Sequence, residues 1–259
     1  MTDDAPRAAV VVLAAGSGSR VGHDLNKALL PLGGRPMLAW SLETAAASRH
    51  TAMLVLVVSD RDRSRAEVAA AAAQFGAVVV EGGSNRHESE RRALEYLAAE
   101  IDTGAIDVVV MHDAARPLAT VQLLEAVVAA AHRRGGAVPV RRQASMIAAE
   151  PHDEDPADLG DLVAVQTPQA FRAAPLLAAY RRASATGFVG TDTASCVEAF
   201  ADLEVVGVEG SAANIKVTFA DDLAVAELLS AVRLDRHDDR HDSDDPDDAA
   251  PGSEGRRDR

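Results

Sequence analysis

Val10-Val11-Val12-Leu13-Ala14-Ala15-Gly16-Ser17-Gly18-Ser19-Arg20 is the stretch on which the fold turns. An unbroken apolar run of this length reads as a strand buried on both faces, as inside a parallel sheet. The glycines that follow end it in a tight turn whose backbone N–H groups can come close to an anion. The spacing is not that of a P-loop, and Val21 stands where a dinucleotide fingerprint needs its third glycine. Alone, the loop is compatible with an ordinary strand-to-helix turn. Arg20 and Lys27 raise it to a candidate polyphosphate site, because both cations fall close to it in sequence.

Outward from that strand, apolar runs alternate with helical patterns. Strands are expected at 53–58, 78–80, 106–111 and 137–140, and helices at 36–48, 64–75, 88–100 and 120–134. This alternation predicts an α/β fold built on a doubly wound, mostly parallel sheet. Ligands of such sheets sit outside the carboxyl ends of the strands, which is where Gly16, Gly18, Gly82, Gly83 and Asp113 fall. Residues 141–165, with Pro151, Pro156 and several acids, break the periodicity and read as an excursion from the sheet. Helices at 173–184 and 193–200, strands at 203–208 and 214–219, and a closing helix at 221–233 complete one domain, 1–234. From Asp235 to Arg259, ten acidic residues and five arginines with almost no apolar side chains read as a disordered tail. His237 and His241 in it are read as solvated rather than as metal ligands.

The net charge of −14 excludes nucleic acid as the expected partner, since phosphate backbones call for clustered Lys and Arg. No apolar run reaches membrane-spanning length. Cys196, the single cysteine, reads as a small core residue and points to a reducing cytoplasm.

Seven further residues bear on chemistry. Asp113, at the end of a strand, suits a carboxylate holding Mg²⁺ beside phosphates, although a helix N-cap would use the same residue. Arg116 follows three residues on. Gly82-Gly83 with Arg86 and Ser89 can offer hydrogen bonds to a base edge or form a simple turn. Lys216 lies between Ile215 and Val217, so it faces away from both, toward solvent or toward the site.

Taken in order, the segments Leu13-Ala14-Ala15-Gly16-Ser17-Gly18-Ser19-Arg20, Asn26-Lys27-Ala28, Gly82-Gly83-Ser84-Asn85-Arg86-His87-Glu88-Ser89 and His112-Asp113-Ala114-Ala115-Arg116-Pro117 form a specific set. With Gln166-Thr167-Pro168-Gln169, Thr191-Asp192-Thr193-Ala194-Ser195 and Asn214-Ile215-Lys216-Val217-Thr218, the chain resembles the 2-C-methyl-D-erythritol 4-phosphate cytidylyltransferases and their polyol-phosphate relatives over residues 8–233. The resemblance implies a Rossmann-like nucleotidyltransferase fold with an extended arm at 141–165, through which family members form homodimers. It implies that CTP and a polyol phosphate give a CDP-alcohol, an isoprenoid precursor, and pyrophosphate. On this likeness, Arg20, Lys27 and Lys216 would be catalytic, and Asp113 would hold Mg²⁺ and the ribose end. Ala14, Ala15, Gly16, Gly18, Gly82, Gly83 and Ser89 would bind CTP, and Arg116, Thr167 and Thr191 would lie near the acceptor.

The chain departs from the family in the arm. The family's Asp-Thr pair and following Lys are replaced by Arg142-Gln143-Ala144-Ser145-Met146-Ile147, and its arm arginine by Leu159. Losing a charge-assisted phosphate contact costs about 1.5–3 kcal/mol. Three alternatives therefore stand beside the leading expectation: another acceptor such as ribitol 5-phosphate, a weakly active regulatory homologue, and a dinucleotide-dependent oxidoreductase. The missing third glycine disfavours the last.

Overall fold

The computed structural model describes residues 5–16, 26–142 and 163–241, the last of these without side chains beyond Val232. Strand β1 (Ala8–Ala14) lies at the centre of an eight-stranded sheet. It pairs in parallel with β4 (Thr51–Val58) on one side and β6 (Val108–Asp113) on the other. Beyond β4 lies β5 (Val78–Glu81), also parallel. Beyond β6 the order runs through β9 (Gln169–Arg172) and β7 (Gly135–Arg142) to β10 (Glu204–Glu209). β9 is antiparallel to both its neighbours, so the sheet is mostly rather than wholly parallel. A short ribbon, β2 (Pro31–Leu32) with β3 (Arg35–Pro36), leads into the first helix.

Side chains of β1 alternate between two cores, as the pleat requires. Val10 and Val12 pack with Leu38, Leu42, Leu56 and Val127, under α1 (Met37–Ala46), α3 (Ala66–Phe75) and α6 (Val121–Arg134). Ala9 and Val11 pack with Leu94, Leu97, Met111, Phe171 and Leu177, under α4 (Arg86–Tyr96), α5 (Ala98–Asp102) and α7 (Ala173–Thr186). Helices on both faces explain why β1 carries no polar side chain: neither face meets water.

Several expected elements change at their edges for local reasons. The helix expected at 64–75 is α3, starting at Ala66 after a separate short helix α2 (Asp60–Arg63), and α3 ends at Gly76 with φ +66°, a left-handed cap. The helix expected from 88 starts at Arg86, because Asn85 accepts the Glu88 N–H and caps it. α8 (Thr193–Phe200) is closed at its start by a capping box on Asp192 and Ser195.

Residues 214–219, expected as a strand, are not one. Their backbone meets the rest of the fold through single contacts rather than a ladder, among them the Val217 N–H to the Ala115 carbonyl at 2.8 Å and the Asn214 carbonyl, which accepts from the Arg116 and Gln166 side chains. α9 (Ala220–His241) runs past the expected end at 233, so 235–241 are helical in backbone. Most of the arm, 143–162, and the tail from 242 on lie outside the described residues. The arm's two legs are described: Arg142 at the end of β7 pairs with Val163 at the start of β8 (Val163–Val165) in antiparallel register. The chain thus leaves and re-enters the sheet at one place, as an excursion does.

Candidate active site

The site forms where β1, β5 and β6 end. At the end of β1, the Ala14 carbonyl accepts the Asn26 side-chain N–H at 2.6 Å. Asn26 also donates to Asp62 Oδ2 at 2.9 Å and accepts the Ala28 N–H at 3.1 Å, opening a 3₁₀ turn at Lys27–Leu29. Ser59 donates to the same Asp62 oxygen at 2.6 Å. The end of β1 and Asn26 are thus tied together, and Lys27 is carried on the turn that Asn26 caps. Gly18 and Arg20, two of the expected loop residues, lie outside the described residues.

The two glycines after β5 are required by packing. A Cβ at Gly82 would lie 2.5 Å from the Ala15 Cβ, and one at Gly83 would lie 1.9 Å from the Glu88 Cγ. The Gly83 N–H donates to Ser89 Oγ at 3.0 Å, and Ser89 donates to the Asn85 carbonyl at 2.8 Å. This locks the turn against α4.

Asp113 closes β6 with its side chain 7% exposed. Lys216 Nζ donates to its Oδ2 at 2.7 Å, and Arg86 Nη1 donates to its Oδ1. Burial alone would raise this carboxyl, but Arg86 and Lys216 together hold it well below the usual carboxylate range. Asp113 is therefore ionised at neutral pH. Behind it, its backbone N–H donates to Thr167 Oγ1 at 3.0 Å, and that oxygen lies 3.2 Å from His112 Nδ1. Burial pushes His112 down to about 4, so its imidazole is neutral.

These residues enclose a cavity of about 460 Å³. Its wall includes Ala14, Ala15, Gly16, Lys27, Gly83, Ser89, Asp113 and Lys216 from the expected set. Among the described lining residues, three carry positive charge, Lys27, Arg86 and Lys216, against the single carboxylate of Asp113. In a chain of net charge −14, this is a local excess of positive charge, and it suits a polyanion. Gly82 lies behind the wall. Arg116, Thr167 and Thr191 are not among the lining residues. Arg116 donates to the Asn214 carbonyl at 2.8 Å, Thr167 is buried with its hydroxyl engaged, and Thr191 is exposed just before α8.

Two roles differ from the sequence expectation. Arg86, read there as a base-edge donor, bridges Asp113 and Glu90 instead. Glu90 has no place among the sequence candidates. The available signal was its position on the buried stripe of α4, in helical register with His87, Leu94 and Leu97, where a charge is out of keeping.

A glycine loop, a strand-end carboxylate and convergent cations at the carboxyl edge of a doubly wound sheet define a nucleotidyltransferase. The family model described as 2-C-methyl-D-erythritol 4-phosphate cytidylyltransferase matches residues 8–231. The enzyme of that name from Geobacillus kaustophilus is 38% identical over 228 residues, covering 86% of this chain and 97% of its own. That from Prochlorococcus marinus is 38% identical over 228 residues, with 86% and 98% covered. The crystal structure of the Thermus thermophilus enzyme, 31% identical, matches with a TM-score of 0.67 over 85% of this chain and 98% of its own. A synthase from Anaerococcus prevotii shares the fold at 24% identity, with a TM-score of 0.74 over 88% and 97%. The chain belongs to the 2-C-methyl-D-erythritol 4-phosphate cytidylyltransferase family.

Proposed function

We propose that this chain transfers the cytidylyl group of CTP to 2-C-methyl-D-erythritol 4-phosphate, making the CDP-alcohol used in isoprenoid precursor synthesis. A phosphate oxygen of the acceptor attacks the α-phosphorus in line. The bond from that phosphorus to the bridging oxygen breaks, and pyrophosphate leaves. No proton need move at the reacting atoms, so catalysis rests on positioning and charge neutralisation. The observation that carries the proposal is the three cations that line one cavity with Asp113, in a chain of this family.

Lys27, with Arg20 from the loop, would grip the triphosphate, and Lys216 would neutralise the reacting α-phosphate. Ala14, Ala15, Gly16, Gly18, Gly82, Gly83 and Ser89 would hold the nucleotide, largely through backbone groups. Arg116 and Thr191 would meet the acceptor, with Thr167 steadying Asp113 beside it.

Mg²⁺ fits the donor set in one mode. Among the described residues there is no group of three or more His, Cys, Asp or Glu side chains placed to hold a metal ion. The ion would be carried by the phosphates, with Asp113 as its one carboxylate, as is usual for magnesium beside nucleotides. Bound there, Mg²⁺ supplies charge neutralisation of the triphosphate.

The exposed Val163 and Val165 on β8 support a homodimer formed through the arm. Light scattering of the full chain tests it: a monomeric mass would dismiss the dimer. Among the described residues no helix is long and apolar enough to cross a membrane. The buried thiol of Cys196 suits a cytoplasmic protein.

Pyrophosphate release from CTP and Mg²⁺ across a panel of acceptors tests the reaction. Release with methylerythritol phosphate is expected. The arm substitutions at 142–147 and Leu159 favour one rival, ribitol 5-phosphate, and release with that acceptor alone would reassign the substrate. CTP binding without release on any acceptor would identify a regulatory protein.

A further inference from the structure

Glu90 is a carboxylate with no exposed surface, on the inner side of α4. Three groups from three helices converge on it. Arg86 Nε donates to Oε1 at 2.9 Å, Thr193 Oγ1 donates to the same oxygen at 2.9 Å, and the Tyr180 hydroxyl donates to Oε2. The Tyr180 ring is in turn stacked on His87 at 4.7 Å and 15°. Burial on this scale raises the carboxyl, opposed by the Arg86 charge and both hydroxyls. A buried ion pair is a poor device for stability, because desolvation offsets most of the attraction, but it fixes geometry well. What it fixes here is Arg86. That guanidinium gives Nε to Glu90 and Nη1 to Asp113, and its buried Nη2 has no hydrogen-bond partner among the described residues. Arg86 also forms part of the cavity wall.

We infer that Glu90 is a positioning residue for nucleotidyl transfer: it holds Arg86 in the plane that clamps Asp113 beside Lys216. Through Thr193, the first residue of α8, it also ties that clamp to the helix that follows Thr191 on the acceptor side. Arg86, Asp113, Lys216 and Glu90 carry two positive and two negative charges. Loss of the Glu90 charge leaves this group one positive charge in excess and frees the guanidinium to turn. The nucleotide is then held at least as well, while its α-phosphate and the acceptor lose their alignment.

This inference rests on the cytidylyl-transfer reading, and the experiment separates the two. Wild type, Glu90→Gln, Arg86→Gln and the double variant are compared for turnover with CTP and methylerythritol phosphate. CTP affinity is measured by calorimetry. Wild type without CTP binding or turnover would overturn the functional reading itself. Given an active wild type, Glu90→Gln is expected to lose tenfold or more in turnover while its CTP dissociation constant stays the same or falls. In the Arg86→Gln background, Glu90→Gln is expected to cost nothing further, since a residue that acts only through Arg86 has nothing left to position. Turnover within twofold of wild type would overturn the inference. So would CTP affinity that weakens in step with turnover, or costs that multiply in the double variant; each of those marks a purely structural core residue. Should Glu90→Gln fail to fold, Glu90→Asp keeps the buried charge but falls one methylene short of Arg86. The same tenfold loss is then expected, and undiminished turnover overturns the inference.

Discussion

The residues proposed for the nucleotide and those proposed for the acceptor are placed differently in this fold. At the nucleotide end, Ala14, Ala15, Gly16, Lys27, Gly83, Asp113 and Lys216 come from segments far apart in sequence, and all reach one cavity. At the acceptor end, Arg116 and Thr167 are drawn into hydrogen bonds with the Asn214 carbonyl and the Asp113 backbone, and Thr191 lies exposed before α8. The described members of the first set lie at the carboxyl edge of the sheet and line one cavity within one chain. In the second set, Thr167 follows β8, the returning leg of the arm, and the departures from the family fall in that arm. The contrast teaches that one chain gathers the proposed polyanion-binding residues at a single sheet edge, whereas those proposed for the acceptor stand outside that cavity.

The sharpest way to break that contrast is at the nucleotide end. Lys27→Ala is expected to lower turnover by roughly 10³-fold while the circular dichroism spectrum stays that of wild type, as for loss of one charge-stabilising group. Near-normal rates would remove the loop from the machinery. Asp113→Asn is expected to lower turnover at saturating CTP by roughly 10²-fold, because it removes the sole carboxylate of the described wall. Steady-state kinetics that show wild-type turnover would dismiss it.

At the acceptor end the effect should be smaller and of another kind. Arg116→Ala is expected to raise the acceptor KM about tenfold and leave the CTP KM within about twofold, the worth of one charge-assisted contact. A change confined to the CTP KM would assign Arg116 to the nucleotide end and erase the contrast.

The smallest effect concerns the support behind both ends. His112 has a folded-state pKa of about 4 against an unfolded value near 6.5, so the unfolded chain binds more protons between these values. The stability it contributes is present above pH 6.5 and is lost as pH falls toward 4. Urea denaturation at pH 7 and pH 5 should show wild type losing about 1–2 kcal/mol more than His112→Asn over that interval. Equal losses in the two proteins would mean that the imidazole does not titrate in this window.

Much of this was legible in one dimension. The unbroken apolar run at 10–13 and the glycines after it placed the central strand and the loop, because burial on both faces leaves no room for polar alternation. The period switches to helices were equally plain, whereas the Asn85 and Asp192 caps emerged only with their hydrogen bonds. The antiparallel strand Gln169–Arg172 was not foreseen, being short and without alternation of its own. Nor was the failure of 214–219 to form a strand, since an extended segment becomes a strand only when a neighbour offers a ladder.

By itself, then, the sequence determined the layered α/β fold, the family, and most of the described residues that line the cavity at the carboxyl edge of the sheet. Those follow from periodicity, from glycine's lack of a Cβ and from residue order, all local properties. Tertiary structure alone decided who pairs with whom. It turned Arg86 from a base-edge candidate into the bridge between Asp113 and Glu90. It brought Lys216 within 2.7 Å of a carboxylate more than a hundred positions earlier. It also showed that Gly82 and Gly83 are demanded by Ala15 and Glu88. Charge pairing and close packing depend on distance in space, and the order of residues along the chain does not contain that distance.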